Sequence, residues 1–249
     1  MKRIAAGYAV LFFFYQLPQA VHDYVVPSRL LWLAATALFF VVARAVARRL
    51  GGEGLSSYAL AGHTRWRRDL AAGLFAGLFF SAAAGAVSHQ LGFYRIDAVV
   101  PLRALLVPAI LLALGSALAS LSEDILTRGF PWWQAGRRMP AARFCAMSAA
   151  LYVANHIYVL NRGPALWTFL FVFGLGLAYA VHRTGSLWLA FGAHWGWNLV
   201  YHVSNAALTT TNLAPGPANT WVSAVASVAL AGQLVWLSRR LSQRPGLVQ

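Results

Sequence analysis

Apolar runs separated by short polar or basic connections extend along the whole sequence. We take runs of roughly 17 to 25 apolar residues as membrane-spanning helices, because a helix of that length crosses the hydrocarbon core of a bilayer. The pattern gives eight runs, near residues 4–21, 30–47, 70–91, 104–121 and beyond, 144–160, 167–181, 186–203 and 221–237. It predicts an all-α fold, a polytopic transmembrane helix bundle of about eight spans.

No long linker, low-complexity tract or internal repeat divides these runs, so we expect a single membrane domain over residues 1–249. In the third run, Gly73, Gly77, Ser81 and Gly85 follow one another at four-residue spacing. Small residues at this spacing lie on one helix face and let a neighbouring backbone approach closely. We therefore expect this face to serve helix packing.

Basic residues fall on alternate connections between the runs. Sixteen of the twenty Lys and Arg residues lie on one predicted side of the membrane. The other side has four, Arg29, Arg95, Arg103 and Arg162. By the positive-inside rule this asymmetry predicts that both termini are cytoplasmic. The chain is then expected to be a multi-pass protein of the plasma (inner) membrane, in contact with its lipids.

The composition excludes an ordinary soluble domain. Hydrophobic residues make up 59% of the chain and charged residues only 10%, whereas soluble domains have about half and a quarter. The net charge of +14 would suggest a nucleic-acid partner on a soluble fold. Here most basic residues lie on one predicted side of the membrane, so membrane topology accounts for the positive charge. We therefore expect no nucleic-acid partner.

Two of the six acidic residues, Glu123 and Asp124, are adjacent at the end of the fourth apolar run. Charge inside a membrane is costly and needs a partner or a function. On a continuing helix, Asp124 and Arg128 share a face and can pair in the favoured order, acid before base. Glu123 points about 100° away and is left without the arginine.

Further polar residues occur in the fifth and seventh runs. Tyr152 and His156 are four residues apart with Asn155 beside the histidine, and His194 and Asn198 are also four apart. Each pair shares one helix face.

The depths of three of these residues agree. If the fourth helix continues to about Gln134, then Glu123, His156 and His194 all lie roughly 16 to 20 Å from the cytoplasmic edge. That is near the middle of a core about 30 Å thick. We therefore expect one carboxylate and two imidazoles to converge from three helices.

Two kinds of chemistry fit such a set. A carboxylate and an imidazole can hold a water and take its proton, while a second His and an Asn can donate hydrogen bonds to the oxyanion of a tetrahedral intermediate. Alternatively, Glu123, His156 and His194 match the ligand set of a catalytic zinc site. The residues alone do not choose between these two.

Taken together, Glu123-Asp124-x-x-x-Arg128-Gly129, Tyr152-x-x-x-His156 and His194-x-x-x-Asn198 resemble, in this order, the three motifs of the CPBP family. This family comprises CAAX prenyl endopeptidases and bacteriocin-processing enzymes, also called Abi proteins. Its pattern is Glu-Glu-x-x-x-Arg, Phe-x-x-x-His and His-x-x-x-Asn or Asp. The resemblance covers roughly residues 115–205, within a core that we place at 104–205.

The resemblance implies an intramembrane endopeptidase in which Glu123 and His156 activate the water. His194 and Asn198 would bind the oxyanion, and Arg128 would hold the second acid. The family is described both as metal-dependent and as metal-free. We favour metal-free chemistry without a cofactor, because an oxyanion pair accounts for Asn198 and a zinc site does not. Zinc held by Glu123, His156 and His194 is the alternative.

The chain departs from the family pattern at two positions. Asp124 replaces the second Glu and is one methylene shorter, yet can still reach Arg128 from the same face. Tyr152 replaces Phe, and its hydroxyl needs a partner if buried; it could tune His156 or reach Asn155. Neither change removes a proposed catalytic group.

The leading hypothesis is an endopeptidase whose cavity opens to the cytoplasm and whose substrate is a membrane-associated peptide or protein, of CAAX type or a processed peptide. One alternative is a non-proteolytic immunity or binding protein on the same fold. Another is a proton-coupled transporter, in which the buried acids and histidines form a pathway. Against the transporter, the sequence has neither inverted repeats nor paired broken helices.

Overall fold

A computed structural model describes residues 1–214 and 216–242 of the chain. These residues form α-helices joined by short connections, three of which contain a 3₁₀ turn, and one two-stranded sheet. The helices are α1 Lys2–Tyr24, α2 Arg29–Arg49, α3 Trp66–Gln90, α4 Leu102–Asp124, α5 Phe130–Gln134, α6 Ala141–Asn155, α7 Pro164–Thr184, α8 Trp188–Ala207 and α9 Ala218–Ser242. The strands are β1 Tyr94–Val99 and β2 Leu208–Asn212.

Each of the eight predicted apolar runs overlaps a helix, and the helical membrane bundle is confirmed. Among the described residues, six helices are long and apolar enough to cross a membrane: Lys2–Tyr24, Arg29–Arg49, Trp66–Gln90, Leu102–Gln134, Pro164–Thr184 and Ala218–Leu241. The runs outside this set are on α6, which has only 15 residues, and on α8, which carries His194 and Asn198. The count of eight spans and the cytoplasmic termini remain predictions.

The fourth helix continues to Gln134, as the depth estimate assumed. A single π-helical turn, Ile125–Gly129, joins α4 to α5. All five residues of this turn are buried. A π turn inside an α-helix is rare and occurs frequently at functional sites. Here it directly follows Glu123 and Asp124.

The fifth helix ends earlier than the sequence indicates. The apolar run extends to Leu160, but α6 ends at Asn155, and His156 has left the helical backbone region with φ −85° and ψ 46°. A side chain from α1 caps this end. Gln16 Nε2 donates to the Asn155 carbonyl oxygen at 2.8 Å, so a terminal carbonyl that lacks a helical partner is satisfied. His156 therefore lies just after α6 and not on it.

Helices α3 and α8 pack backbone against backbone along a glycine seam, Gly73 and Gly77 on α3 and Gly192 and Gly196 on α8. A Cβ added to Gly77 would lie 2.1 Å from the Ala193 carbonyl oxygen, and one added to Gly192 would lie 2.2 Å from the Leu70 carbonyl oxygen. The small-residue spacing of α3 predicts this contact. The seam fixes the position of α8 and thus of His194.

Replacing Gly77 with alanine is expected to lower the free energy of unfolding by about 1 to 3 kcal/mol, the usual cost of overpacking, because the two backbones must separate. Thermal unfolding of the purified protein in detergent measures the change. Gly232→Ala on α9 is the matched control, because a Cβ there meets nothing within 4 Å. An unfolding midpoint for Gly77→Ala equal to that of the control would contradict the packing argument.

The two strands were not predicted. They pair antiparallel, with Tyr94 opposite Asn212 and Val99 opposite Leu208. Thr211 Oγ1 also donates to Asp97 at 2.6 Å, and this hydrogen bond lowers the pKa of the Asp97 carboxyl. The strands belong to the α3–α4 and α8–α9 connections, which the charge pattern assigns to the same, external side. Their pairing agrees with that assignment.

Candidate active site

Glu123, His156 and His194 meet in the interior of the bundle. Nδ1 of His156 lies 3.6 Å from Oε1 of Glu123, and Nε2 of His194 lies 3.6 Å from Oε2. The side chains of Glu123 and His194 are 6% and 1% exposed, whereas that of His156 is 23% exposed. The structure thus brings together the carboxylate of α4, the imidazole that follows α6 and the imidazole of α8. Its open side is at His156.

Asp124 has two partners. Its Oδ1 forms an ion pair with Arg128 Nη1 one turn later, and both side chains are fully buried. The same oxygen lies 3.1 Å from His194 Nδ1. The shorter acid therefore reaches Arg128, as the sequence predicts, and it also orients a histidine that the sequence does not connect with it. Arg128 Nη1 donates in addition to Thr127 Oγ1 at 3.1 Å.

The contact with Asp124 determines which nitrogen of His194 carries a proton. An ionised carboxylate only accepts hydrogen bonds, so Nδ1 of His194 must donate to Asp124. Nε2 then faces the centre of the site, between the Tyr152 hydroxyl at 3.3 Å and Glu123. Carboxylates thus lie on both sides of the ring.

The Tyr152 hydroxyl bonds to neither of the two partners considered for it. The hydroxyl reaches His194 and not Asn155, while the ring packs edge-on against His156 with centroids 4.8 Å apart. The Arg128 guanidinium lies 4.5 Å from the centroid of the Tyr152 ring. Tyr152 thus occupies the space between the two histidines and the buried arginine.

Replacing Tyr152 with phenylalanine, the residue of the family pattern, is expected to reduce kcat by about tenfold or less. Only the hydroxyl is lost, and one buried hydrogen bond contributes about 0.5 to 1.5 kcal/mol, while the packing with His156 and Arg128 remains. Steady-state kinetics checks the value. Tyr201→Phe, at an exposed tyrosine of α8, is the control. A loss of 10³-fold would instead make the hydroxyl a principal donor.

Asn198 is held by α4. Its Nδ2 donates to Ser120 Oγ at 3.0 Å, and Ser120, which is fully buried, precedes Glu123 by one helical turn. A side-chain amide has two N–H donors, so the second remains for another acceptor. Within the described residues, Asn198 forms no hydrogen bond with Glu123, His156 or His194.

Three residues of the site, Asn155, Gln16 and Tyr15, have no role in the sequence-based hypothesis. Asn155 Nδ2 donates to Glu123 Oε1 at 3.0 Å, and Gln16 of α1 donates to Asn155. Tyr15 also interacts with Glu123 and Asn155. A signal was available in α1, where Tyr15 and Gln16 interrupt the apolar stretch FFFYQLP. Buried polar groups need partners, but the sequence does not say which ones.

The donor set does not fit a zinc site. The His156 nitrogen turned towards Glu123 is Nδ1, which lies 2.8 Å from the Tyr152 carbonyl oxygen. A carbonyl only accepts, so this nitrogen carries a proton and has no lone pair for a metal. Among the described residues, no group of three or more His, Cys, Asp or Glu side chains is arranged to hold a metal ion.

Residues 104–200 match the model of the family described as type II CAAX prenyl endopeptidase Rce1-like. All three motifs lie inside this segment. The match supports, for this segment, the family that the motifs predict. No curated protein and no solved structure shows significant similarity to the chain.

Proposed function

We propose that this chain is an intramembrane endopeptidase, because residues 104–200 match the model of the type II CAAX prenyl endopeptidases and carry the three motifs. It hydrolyses a peptide bond of a membrane-associated peptide or protein. The observation that carries the proposal is the meeting of Glu123 with His156 and His194 at 3.6 Å each. No direct hydrogen bond joins the pairs at this separation, and a water can bond to the carboxylate and an imidazole together.

In the proposed reaction, Glu123 is the general base. Its carboxylate takes a proton from the water, and the water oxygen attacks the carbonyl carbon of the substrate. Protonated Glu123 then gives the proton to the leaving amine nitrogen as the C–N bond breaks. His156 holds the water through Nε2 from the open side, since Nδ1 donates to the Tyr152 carbonyl oxygen. Proton transfer by a positioned carboxylate is worth about 10²- to 10⁴-fold in rate.

The oxyanion of the tetrahedral intermediate is bound by His194 and Asn198 in this proposal. In this proposal His194 carries a proton on each ring nitrogen: Nδ1 donates to Asp124 and Nε2 donates to the oxyanion. Asn198 uses the N–H that Ser120 leaves free. Donors of this kind contribute roughly 3 to 4 kcal/mol each. Asp124 does not touch the substrate but orients His194, and Arg128 in turn holds Asp124.

We propose metal-free chemistry, supported by the proton on His156 Nδ1. Activity is therefore expected to persist after treatment with a strong zinc chelator, and the active protein is expected to contain no stoichiometric zinc. Elemental analysis and residual rate after chelation measure both. Loss of activity on chelation with recovery on adding zinc would overturn the metal-free mechanism while leaving the peptidase assignment intact.

The substrate approaches within the plasma membrane from the cytoplasmic side in this proposal. The buried carboxylates and imidazoles lie inside an apolar bundle. A membrane-bound peptide suits such a site, because the substrate reaches the bundle through the lipid phase. The resemblance does not specify a prenylated tail, and a processed peptide fits the same chemistry.

Hydrolysis in H₂¹⁸O is the direct test. The purified full chain in liposomes is given membrane-anchored peptides, and mass spectrometry identifies the products. One ¹⁸O atom is expected in each new carboxyl terminus, and a Glu123→Gln protein is expected to give no labelled product. Binding of peptide without cleavage by the wild type would favour the non-proteolytic binding or immunity protein instead.

A further inference from the structure

We propose that Gln16 and Asn155 are positioning residues of the active site, which hold the Glu123 carboxylate in its working orientation. The inference rests on the proposed function, because it assigns Glu123 as the base. It also extends the site beyond the segment 104–200 that matches the family, since Gln16 lies on α1.

A chain of hydrogen bonds connects α1 with the carboxylate. Gln16 Nε2 donates to Asn155 O at 2.8 Å and to Asn155 Oδ1 at 3.0 Å. Asn155 Nδ2 then donates to Glu123 Oε1 at 3.0 Å. All three residues are at least nine-tenths buried. Each link has a donor facing an acceptor.

The first link sets the orientation of the Asn155 amide. Because Gln16 Nε2 donates to Oδ1, the Asn155 oxygen points to α1 and the NH₂ group points to Glu123. The reverse orientation would place Oδ1 against the carboxylate and Nδ2 against the glutamine NH₂. Both contacts would be repulsive. Gln16 therefore selects the only orientation in which Asn155 can donate to Glu123.

The second link sets the orientation of the carboxylate. With Oε1 held by Asn155, Oε2 is directed to His194, 3.6 Å from Nε2. The bond to Asn155 also uses only one of the acceptor positions of Oε1. The carboxylate thus remains able to accept a hydrogen bond from water while its rotation is restricted. Such preorganisation lowers the entropic cost of reaching the transition state.

The backbone of α1 is fixed at the same point. Tyr158 OH donates to the Gln16 carbonyl oxygen at 3.3 Å, and Tyr158 follows His156 by two residues. Gln16 is thus joined both to the end of α6 and to the segment that carries His156. A displacement of α1 would disturb the base and the water-holding histidine together.

The test uses near-isosteric replacements in the full chain. Asn155→Leu removes the donor to Glu123. Gln16→Glu keeps the volume, and its ionised carboxylate cannot donate and would attract the Asn155 NH₂ group away from Glu123. Each is expected to lower kcat roughly 10- to 100-fold with little change in KM, because substrate contacts are untouched. Gln19→Glu, on the same helix with a bond to Asp23, is the matched control and is expected to keep the wild-type kcat.

A double replacement separates positioning from general packing. If Gln16 acts through Asn155, the Gln16→Glu/Asn155→Leu protein is expected to lose no more kcat than the more affected single variant, whereas independent effects would multiply. Multiplying effects, or wild-type kcat in either folded single variant, would overturn the inference. If a variant fails to fold by thermal unfolding, Gln16→Met and Asn155→Ser replace it in the same comparison.

The outcomes distinguish this inference from the proposed function. No cleavage by the wild type would remove the proposed function itself. Cleavage that Glu123→Gln abolishes, but that folded Gln16 and Asn155 variants leave unchanged, would remove only the positioning role.

Discussion

Replacing Glu123 with glutamine is expected to lower kcat by about 10³-fold or more while the protein remains folded. Glutamine has the same shape, and its amide oxygen can still accept the hydrogen bond from Asn155. It cannot take a proton from water. The expected loss is therefore in the chemical step, and the KM for a peptide substrate is expected to change little.

The measurement is single-turnover cleavage by the purified protein, with thermal unfolding recorded in parallel. Glu53→Gln is the control, since Glu53 is an exposed acid in the α2–α3 connection and is expected to have no effect on kcat. A folded Glu123→Gln protein with a rate within tenfold of wild type would exclude Glu123 as the general base.

Replacing Arg128 with methionine is expected to lower the free energy of unfolding by about 3 to 5 kcal/mol, the usual cost of leaving a buried charge without its partner. The Arg128 and Asp124 side chains are fully buried. Without the guanidinium, Asp124 keeps only His194, next to a second carboxylate. Unfolding by heat or denaturant in detergent measures the loss, and Arg138→Met at an exposed position is the control.

A double replacement tests the role of the Arg128–Asp124 ion pair further. Asp124→Leu/Arg128→Met removes both buried charges and is expected to recover most of the lost stability, because an apolar pair has no desolvation cost. Its kcat is expected to stay low, since His194 Nδ1 has then lost its acceptor. Full activity of this variant would show that Asp124 does not act through His194. Unchanged stability in Arg128→Met alone would contradict the burial argument.

The contacts that sequence could predict are those within one helix. Asp124 and Arg128 are four residues apart, so helical geometry alone places them together. The contact between Asp124 and His194 joins residues 70 apart, and the bond from Gln16 to Asn155 joins residues 139 apart. The periodicity of a sequence does not predict contacts between residues so far apart along the chain. The motifs indicated which polar residues converge, whereas their mutual hydrogen bonds required the packing of the bundle.

The end of α6 shows the limit of hydropathy. After Asn155 and His156 the apolar residues Ile157, Tyr158, Val159 and Leu160 resume the run, so their composition does not mark the end of the helix. A tertiary contact, the capping of Asn155 by Gln16, stabilises that end. The strands β1 and β2 were missed for a similar reason, because five or six residues are stabilised only by pairing with a partner remote in sequence.

The glycine seam between α3 and α8 has a consequence for mutational tolerance. Every single substitution at Gly73, Gly77, Gly192 or Gly196 adds at least one carbon where a backbone atom already lies. In a saturation screen scored separately for folded protein and for cleavage, substitutions at these four positions are expected to lower both scores, least for alanine and more for larger residues. Glu123 is expected to fail the second score alone. The screen would then distinguish positions needed for helix packing from positions needed for catalysis, although both kinds of residue lie on the same few helices.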